Sequence, residues 1–422
     1  FILTIQRPSV NKKMKFKIAR RSIQLPAVPY YGVQDGGVGY LNLNSFTTGC
    51  AKDVRRAFLD MKKQGMTSLV FDLRNNGGGS LQEAVNIVNM FVPKGITLVK
   101  TVGKMERANK EYKTTVEPID TVMPIVVLVN DETASASEIT SGSLQDLDRA
   151  VVLGTRTYGK GLVQVSMDLP YNGNLKLTSS KYYIPSGRCI QAINYKHANG
   201  GYTEHVPDSL THVFHTANGR EVRDGGGIKP DVEVRPDSLP NIAFYLASSG
   251  RDSTEVMWNW ELQYLKKHPT IGPAKTFVIS DADFEDFKQA VLKSGFKYDR
   301  ESKKYLENLV KLAKFEGYYD DAKGEFDALE KKLNHNLAKD LDYNKQTLKK
   351  VLTSDLVSAY YYQKGSLENS LQFDKQWKKA VEILKNPAEY KKLLQPVVGQ
   401  PLVKLEPASN VAVDKKQKSK AK

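Results

Sequence analysis

Between about residues 36 and 236, short apolar runs alternate with segments whose apolar residues recur every three or four positions. The run "GVGYLNLNSF" reads as a strand ending in a turn. The stretch "CAKDVRRAFLDMKKQG" carries a helical stripe through Val54, Phe58 and Met61 and stops at Gly65. "MTSLVFDLR" and "MPIVVLVN" are apolar on consecutive positions, as strands buried on both faces are. "SLQEAVNIVNMFV" and "ASEITSGSLQDL" read as helices, and "ITLVKTVG" and "RAVVLGT" as strands. Strands alternating with helices predict a layered α/β core.

The flanks differ. "FILTI" and "MKFKIA", the latter alternating Met14, Phe16 and Ile18 with basic residues, predict two strands at the start. Residues 190–227 are polar and glycine-rich and hold four of the six histidines: His197, His205, His212 and His215. No cysteine or carboxylate stands at a tight ligand spacing to them, so no metal is expected there. From about 254 to 400 the chain is rich in Lys, Glu, Leu and Tyr. Helical periodicity runs through "YLENLVKLAKFEGYY" and "KQWKKAVEILKN", with breaks assigned to Gly295, Gly317 and Gly365. The expected organisation is a terminal strand over 1–13, a core over 14–253 with the polar excursion at 190–227, a helical domain over 254–400, and a flexible basic tail over 401–422.

Length and composition add limits. With 422 residues and 40% apolar content, the chain can form two or three domains with real cores. It contains no run of 18 apolar residues, so no membrane-spanning helix is expected. Cys50 and Cys189 are too few for a disulfide framework and are expected as two buried thiols. The net charge of +15 raises acidic partners, but neither zinc-finger spacing nor an RNP-like motif is present, so nucleic acid is not an expected partner.

The chemistry concentrates in three glycine- or serine-rich turns, each following an apolar strand: "DLRNNGGGS", "NDETASASEI" and "GTRTYGKGLVQ". None fits the phosphate-loop pattern. Backbone N–H groups at a turn before a helix can hold an oxyanion, and Gly78 and Gly79 leave room for close approach. Ser135 or Ser137 can cap a helix, because Ser135 to Glu138 fits S-x-x-E. Lys160 stands between two glycines. A lysine drawn into a partly buried pocket loses proton affinity and can accept a serine hydroxyl proton, the Ser–Lys form of nucleophilic catalysis. Gln164 lies four positions on, where strand periodicity puts it on the same side as Lys160. A G-x-S-x-G elbow is absent.

The segments "DLRNNGGG", "TASASEI", "LQDLDRAVVLGTRTYGKGLVQ" and "GGIKPDVEV" together resemble the C-terminal processing peptidases (tail-specific proteases) of peptidase family S41, over roughly residues 1–235. The resemblance implies a serine endopeptidase with Ser135 as nucleophile, Lys160 as base and Gln164 as third member. It puts the oxyanion hole at the N–H of Ala136 with Gly78 or Gly79. It implies a crotonase-like ββα-spiral core, with "FILTIQRP" as the remnant of an N-terminal PDZ domain and a separate C-terminal helical domain similar to Bacteroidetes versions. It further implies no cofactor, an exported or periplasmic location, and protein or peptide substrates with apolar C-termini. The helical domain is the expected surface for a homo-oligomer. The competing class is an inactive scaffold on the same fold.

Overall fold

Strands β1 (Ile2–Arg7) and β2 (Lys12–Lys17) open the chain as an antiparallel pair, with Leu3 opposite Phe16. The core elements follow: β3 (Tyr30–Gln34), β4 (Val38–Asn42), α1 (Cys50–Lys63), β5 (Ser68–Asp72), α2 (Leu81–Val88), β6 (Thr97–Gly103), β7 (Lys110–Lys113), β8 (Ile125–Val129), α3 (Ala136–Asp146), β9 (Val151–Gly154), β10 (Leu162–Leu169) and β11 (Gly173–Tyr183). Short strands β12 (Ile193–Asn194), β13 (Tyr202–Thr203), β14 (Val213–His215) and β15 (Glu221–Arg223) form two small ribbons, and β16 (Val232–Glu233) returns to the core. Helices complete the chain: α4 (Asn241–Ala247), α5 (Val256–Lys267), α6 (Asp281–Ser294), α7 (Glu301–Glu316), α8 (Lys323–Leu333), α9 (Leu337–Tyr343), α10 (Lys345–Ser370), α11 (Lys375–Lys385) and α12 (Pro387–Leu393). This computed structural model describes residues 1–7, 12–23, 25–194, 202–203, 207–248, 254–333 and 336–396. The expected tail at 401–422 and the histidines His197 and His205 lie outside the described residues.

The chain divides into two units, 1–24 with 237–374 and 25–236 with 375–422. In the second, six strands lie side by side in the order β16-β9-β8-β5-β4-β3, parallel except for the edge strand β3. Each new parallel strand joins the same side of the one before, so the crossover helices α1, α2 and α3 gather on one face. Val54, Phe58 and Met61 of α1, Ile87 and Val88 of α2, and Ile139 and Leu144 of α3 pack there against Leu69, Phe71, Val127 and Val129. Helix α11 packs on β5, β8 and β9, and its Trp377 meets the ring of Tyr40 edge-on at 5.5 Å. Both faces of the central strands are thereby buried, which accounts for their unbroken apolar runs. A second, antiparallel sheet has the order β10-β11-β6-β7.

The other unit buries Ile242 and Leu246 of α4, Trp260 of α5, Phe284 and Phe287 of α6, Leu341 of α9, and Leu348, Leu352 and Leu356 of α10 in its own core. Gly295 and Gly317 end α6 and α7 in the left-handed conformation, as expected of C-terminal glycines. Gly365 does not end a helix. It lies inside α10, where a Cβ would stand 2.2 Å from the Cβ of Tyr361, and the kink sits three residues earlier at Tyr362 (φ 59°, ψ −166°).

Two expectations about architecture are corrected. The central strands form one open, mostly parallel sheet with helices packed on it, not a crotonase-like ββα spiral. The first strand is not the remnant of a PDZ domain: its backbone groups pair with the next strand, and the two make a separate two-stranded sheet. The two cysteines are free, Cys50 buried and Cys189 half-buried.

Candidate active site

Strands β5, β8 and β9 are parallel neighbours, with Asp72 level with Leu128 and Val129 level with Gly154. Their carboxyl ends therefore emerge together, where open α/β sheets build their sites. This register brings together three turns that are far apart in sequence. Asn75 and Asn130 join the first two: Asn130 Nδ2 donates to Asn75 Oδ1 at 2.6 Å, and the Asn75 N–H donates to Asn130 Oδ1 at 2.9 Å. The Ala134 N–H donates to the Asn76 carbonyl at 3.0 Å, and the Tyr158 N–H to the Thr133 carbonyl at 3.0 Å.

Ser135 stands at the turn from β8 into α3 with φ 57° and ψ −116°. A non-glycine residue held there costs on the order of 1–3 kcal/mol, and such strain gathers at functional sites. Its neighbours Ala134 and Ala136 are small, and Ser135 is itself half-buried. Ser137 is different: its buried hydroxyl donates to the Asn76 carbonyl at 2.8 Å. Helix α3 is buried along its whole length although seven of its eleven residues are polar or charged. Its polar groups are bonded internally, as where Arg188 Nη2 meets Asp146 Oδ1 at 2.7 Å.

Glu138 joins the second and third turns. One carboxylate oxygen accepts from Thr157 Oγ1 at 2.6 Å and the Gly159 N–H at 2.7 Å. The other accepts from the Ser135 N–H at 2.8 Å and the Lys160 N–H at 2.9 Å. Burial pushes this carboxyl up from its ordinary range, against the pull of the four donors. Tyr182 holds the opposite side of the same two residues: its buried hydroxyl donates to the Lys160 carbonyl at 2.7 Å and the Ser135 carbonyl at 3.3 Å. Burial, then the nearby Glu138, push that hydroxyl well above the usual tyrosine range. The direct ties between the Ser135 and Lys160 segments thus run through backbone groups.

The glycine turn is shaped by contact. A Cβ on Gly78, whose φ is +97°, would stand 2.6 Å from the Ala134 carbonyl oxygen and 2.9 Å from the Ala136 nitrogen. The Gly78 N–H already donates to Asn76 Oδ1 at 2.9 Å. Gly79 bridges Phe46 through bonds made by its neighbours, from the Phe46 N–H to the Gly78 carbonyl and from the Ser80 N–H to the Phe46 carbonyl. The Gly79 N–H itself therefore faces away from Phe46. Around Lys160 the glycines are equally constrained: a Cβ on Gly159 would meet the Ala192 Cβ at 2.4 Å, and one on Gly161 the Gln191 nitrogen at 2.8 Å. Gln164 lies just inside β10, where the pairing with β11 shifts register between Val163 and Gln164. A bulge beside a site re-aims side chains, so simple alternation from Lys160 does not describe this segment.

All six residues singled out in the sequence, Ser135, Lys160, Gln164, Ala136, Gly78 and Gly79, line one cavity of about 510 Å³, together with Lys176 and Tyr182. Tyr182 has no signal in "SSKYYIP" that reasoning from sequence could use. Glu138 was visible only as a capping partner. Among the described residues, no cluster of three or more His, Cys, Asp or Glu could hold a metal ion.

Comparison with known proteins places these features. Residues 37–197 match the model of peptidase family S41, and residues 245–384 match one described as "Probable PDZ-protease, C-terminal helical domain". The PDZ-protease label thus falls on the helical region, not on residues 1–13. A carboxy-terminal-processing protease of Bartonella bacilliformis is 40% identical over 195 residues, 45% of this chain and 44% of the relative. A probable CtpA-like serine protease of Staphylococcus aureus is 31% identical over 315 residues, 73% of this chain and 51% of the relative. The chain thus spans about half the length of these relatives. A solved photosystem II D1 C-terminal processing protease is 28% identical over 55% of this chain and 54% of its own, with a TM-score of 0.38, too low to establish a shared overall fold. Over residues 37–197 the chain matches peptidase family S41, and it is related to the CtpA-like serine proteases.

Proposed function

We propose that the chain is a serine-type endopeptidase that cleaves proteins or peptides near their C-termini through a Ser135–Lys160 dyad. The observation that carries this reading is the double tie on the two residues. Glu138 binds both N–H groups and Tyr182 both carbonyls, beside a shared cavity and a strained serine. Ser135 Oγ attacks the scissile carbonyl while the Lys160 amine takes its proton. The leaving amine receives that proton, and a water activated by Lys160 hydrolyses the acyl-enzyme. Gln164 orients the amine. The oxyanion lies against the N–H of Ala136, at the first turn of α3, and that of Gly79. Gly79 is favoured over Gly78 because the Gly78 N–H is held by Asn76. Losing one such donor costs about 3 kcal/mol, or roughly 10² to 10³ in rate.

The test is cleavage of an unfolded protein with an apolar tail by the parent, Ser135→Ala and Lys160→Ala. Loss in both variants supports the dyad. Full cleavage by either variant sinks it, and an inert, folded parent favours the scaffold reading.

The substrate preference for apolar tails, an exported or periplasmic setting and a homo-oligomer belong to the same proposal. Tyr305, Leu309, Leu312 and Phe315 stand exposed on α7 and support self-association of the helical unit. Light scattering that gives a monomer at all concentrations would refute that part. Recovery of the full-length protein in the cytoplasmic fraction would refute the exported setting. Among the described residues, no helix is long and apolar enough to cross a membrane.

A further inference from the structure

The hairpin of β10 and β11 is a two-faced ribbon. Directly opposed residues share a face, so Val165 with Leu177 and Met167 with Leu175 form an apolar side. Gln164 with Thr178, Ser166 with Lys176 and Asp168 with Asn174 form the polar side. Of the polar side, Gln164 and Lys176 reach the wall of the cavity that holds Ser135 and Lys160. Lys176 is exposed, and its side chain has no ion-pair or hydrogen-bond partner among the described residues. The carboxylate nearest it along the ribbon, Asp168, accepts from Asn174 Nδ2 at 3.1 Å. The dyad does not use this second cation, yet it stands in the space a substrate must occupy.

From this arrangement we infer that Lys176 forms a carboxylate-binding subsite inside the reaction cavity and selects substrates with an anionic group close to the scissile bond. This rests on the peptidase reading of the same cavity. Lys176 lies two strand positions beyond Thr178, the partner of Gln164, about 7 Å along the ribbon. An extended substrate covers that distance in about two residues. The anion recognised is a carboxylate within two or three residues of the cleaved bond. It is supplied either by the chain's terminal carboxylate or by an Asp or Glu side chain.

Binding is measured with Ser135→Ala, which needs no turnover, using three kinds of fluorescent peptide built on one parent sequence. One ends in a free carboxylate, one in an amide, and one in an amide with a glutamate moved along its last four positions. The free carboxylate or a glutamate at one position should tighten binding about three- to tenfold over the plain amide, the range of a single partly solvated charged contact. Which of the two does so identifies the source of the anion. Adding Lys176→Met should remove the preference, Lys176→Arg should retain it, and Lys176→Glu should reverse it. The exposed site tolerates these changes, and circular dichroism checks that each variant is folded. Equal binding of all three peptides, no binding of any, or a preference that survives Lys176→Met overturns the inference. Turnover by the parent is scored separately. An inactive parent whose Ser135→Ala form still prefers the carboxylate would sink the dyad while leaving the subsite standing.

Discussion

Replacing Glu138 by glutamine tests the joint between the two turns while keeping size and shape. The carboxylate accepts four bonds, two at each oxygen. An amide has only one oxygen, so its NH₂ must face two former donors. The better orientation turns it toward Thr157, whose hydroxyl can reverse and accept, and leaves the Gly159 N–H without an acceptor. One buried unsatisfied donor costs about 1–3 kcal/mol, and the loss of charge from the remaining bonds adds a further kcal/mol or so. A destabilisation of about 2–4 kcal/mol is expected for Glu138→Gln, and more for Glu138→Ala, which leaves all four donors without their acceptor. Because those donors include the N–H groups of Ser135 and Lys160, kcat should fall together with stability while KM changes little. Urea denaturation gives the first quantity and steady-state cleavage of a peptide the second. A Glu138→Gln protein with unchanged midpoint and unchanged kcat would refute the assigned role.

Three further outcomes follow from other contacts. Gly78→Ala should leave a folded protein with little activity, read by circular dichroism and cleavage, because its Cβ meets the Ala134 carbonyl oxygen and the Ala136 nitrogen under 3 Å. Arg188→Met should cost about 3–5 kcal/mol in chemical denaturation, because it leaves Asp146 buried without its ion-pair partner. In the helical unit, burial and then the nearby Asp355 raise Glu261 from 4.5 to about 8, and one of its buried oxygens lacks a hydrogen bond. The folded state then holds a proton that the unfolded state gives up. The stabilisation is complete below about pH 4.5 and is lost as pH rises to about 8, a change on the order of 5 kcal/mol. Glu261→Gln should flatten that loss in thermal melts across this range.

The sequence made the main parts of the candidate site legible for a physical reason. Apolar runs buried on both faces announce parallel strands, and parallel neighbours release their following turns at one edge. Ser135, Lys160 and the glycine turn could therefore be grouped from pattern and resemblance before any coordinates. Glu138 was half legible. S-x-x-E signals a cap, but the same carboxylate also holds the N–H groups of Gly159 and Lys160, a tertiary contact that no local pattern encodes. Tyr182 was invisible, since a tyrosine near the end of a strand has no mark that separates a packing ring from one whose hydroxyl spans two turns. "KQWKKAVEILKN" shows a helix with an apolar stripe. Its period cannot say that Trp377 packs on Tyr40, or that Gln376 accepts from Arg74 at 2.8 Å across 302 positions. The apolar run "FILTI" and the alternation in "MKFKIA" identified two strands correctly. Assigning the first of them to a PDZ domain asked more than one strand can specify.

The central claim, a serine made nucleophilic beside a lysine, is tested most directly by intact-mass analysis after exposure to a serine-directed fluorophosphonate. The account predicts one adduct per chain, mapped by peptide sequencing to Ser135, and absent or strongly slowed in folded Lys160→Ala. An adduct at another serine, or equal labelling in Lys160→Ala, would contradict it.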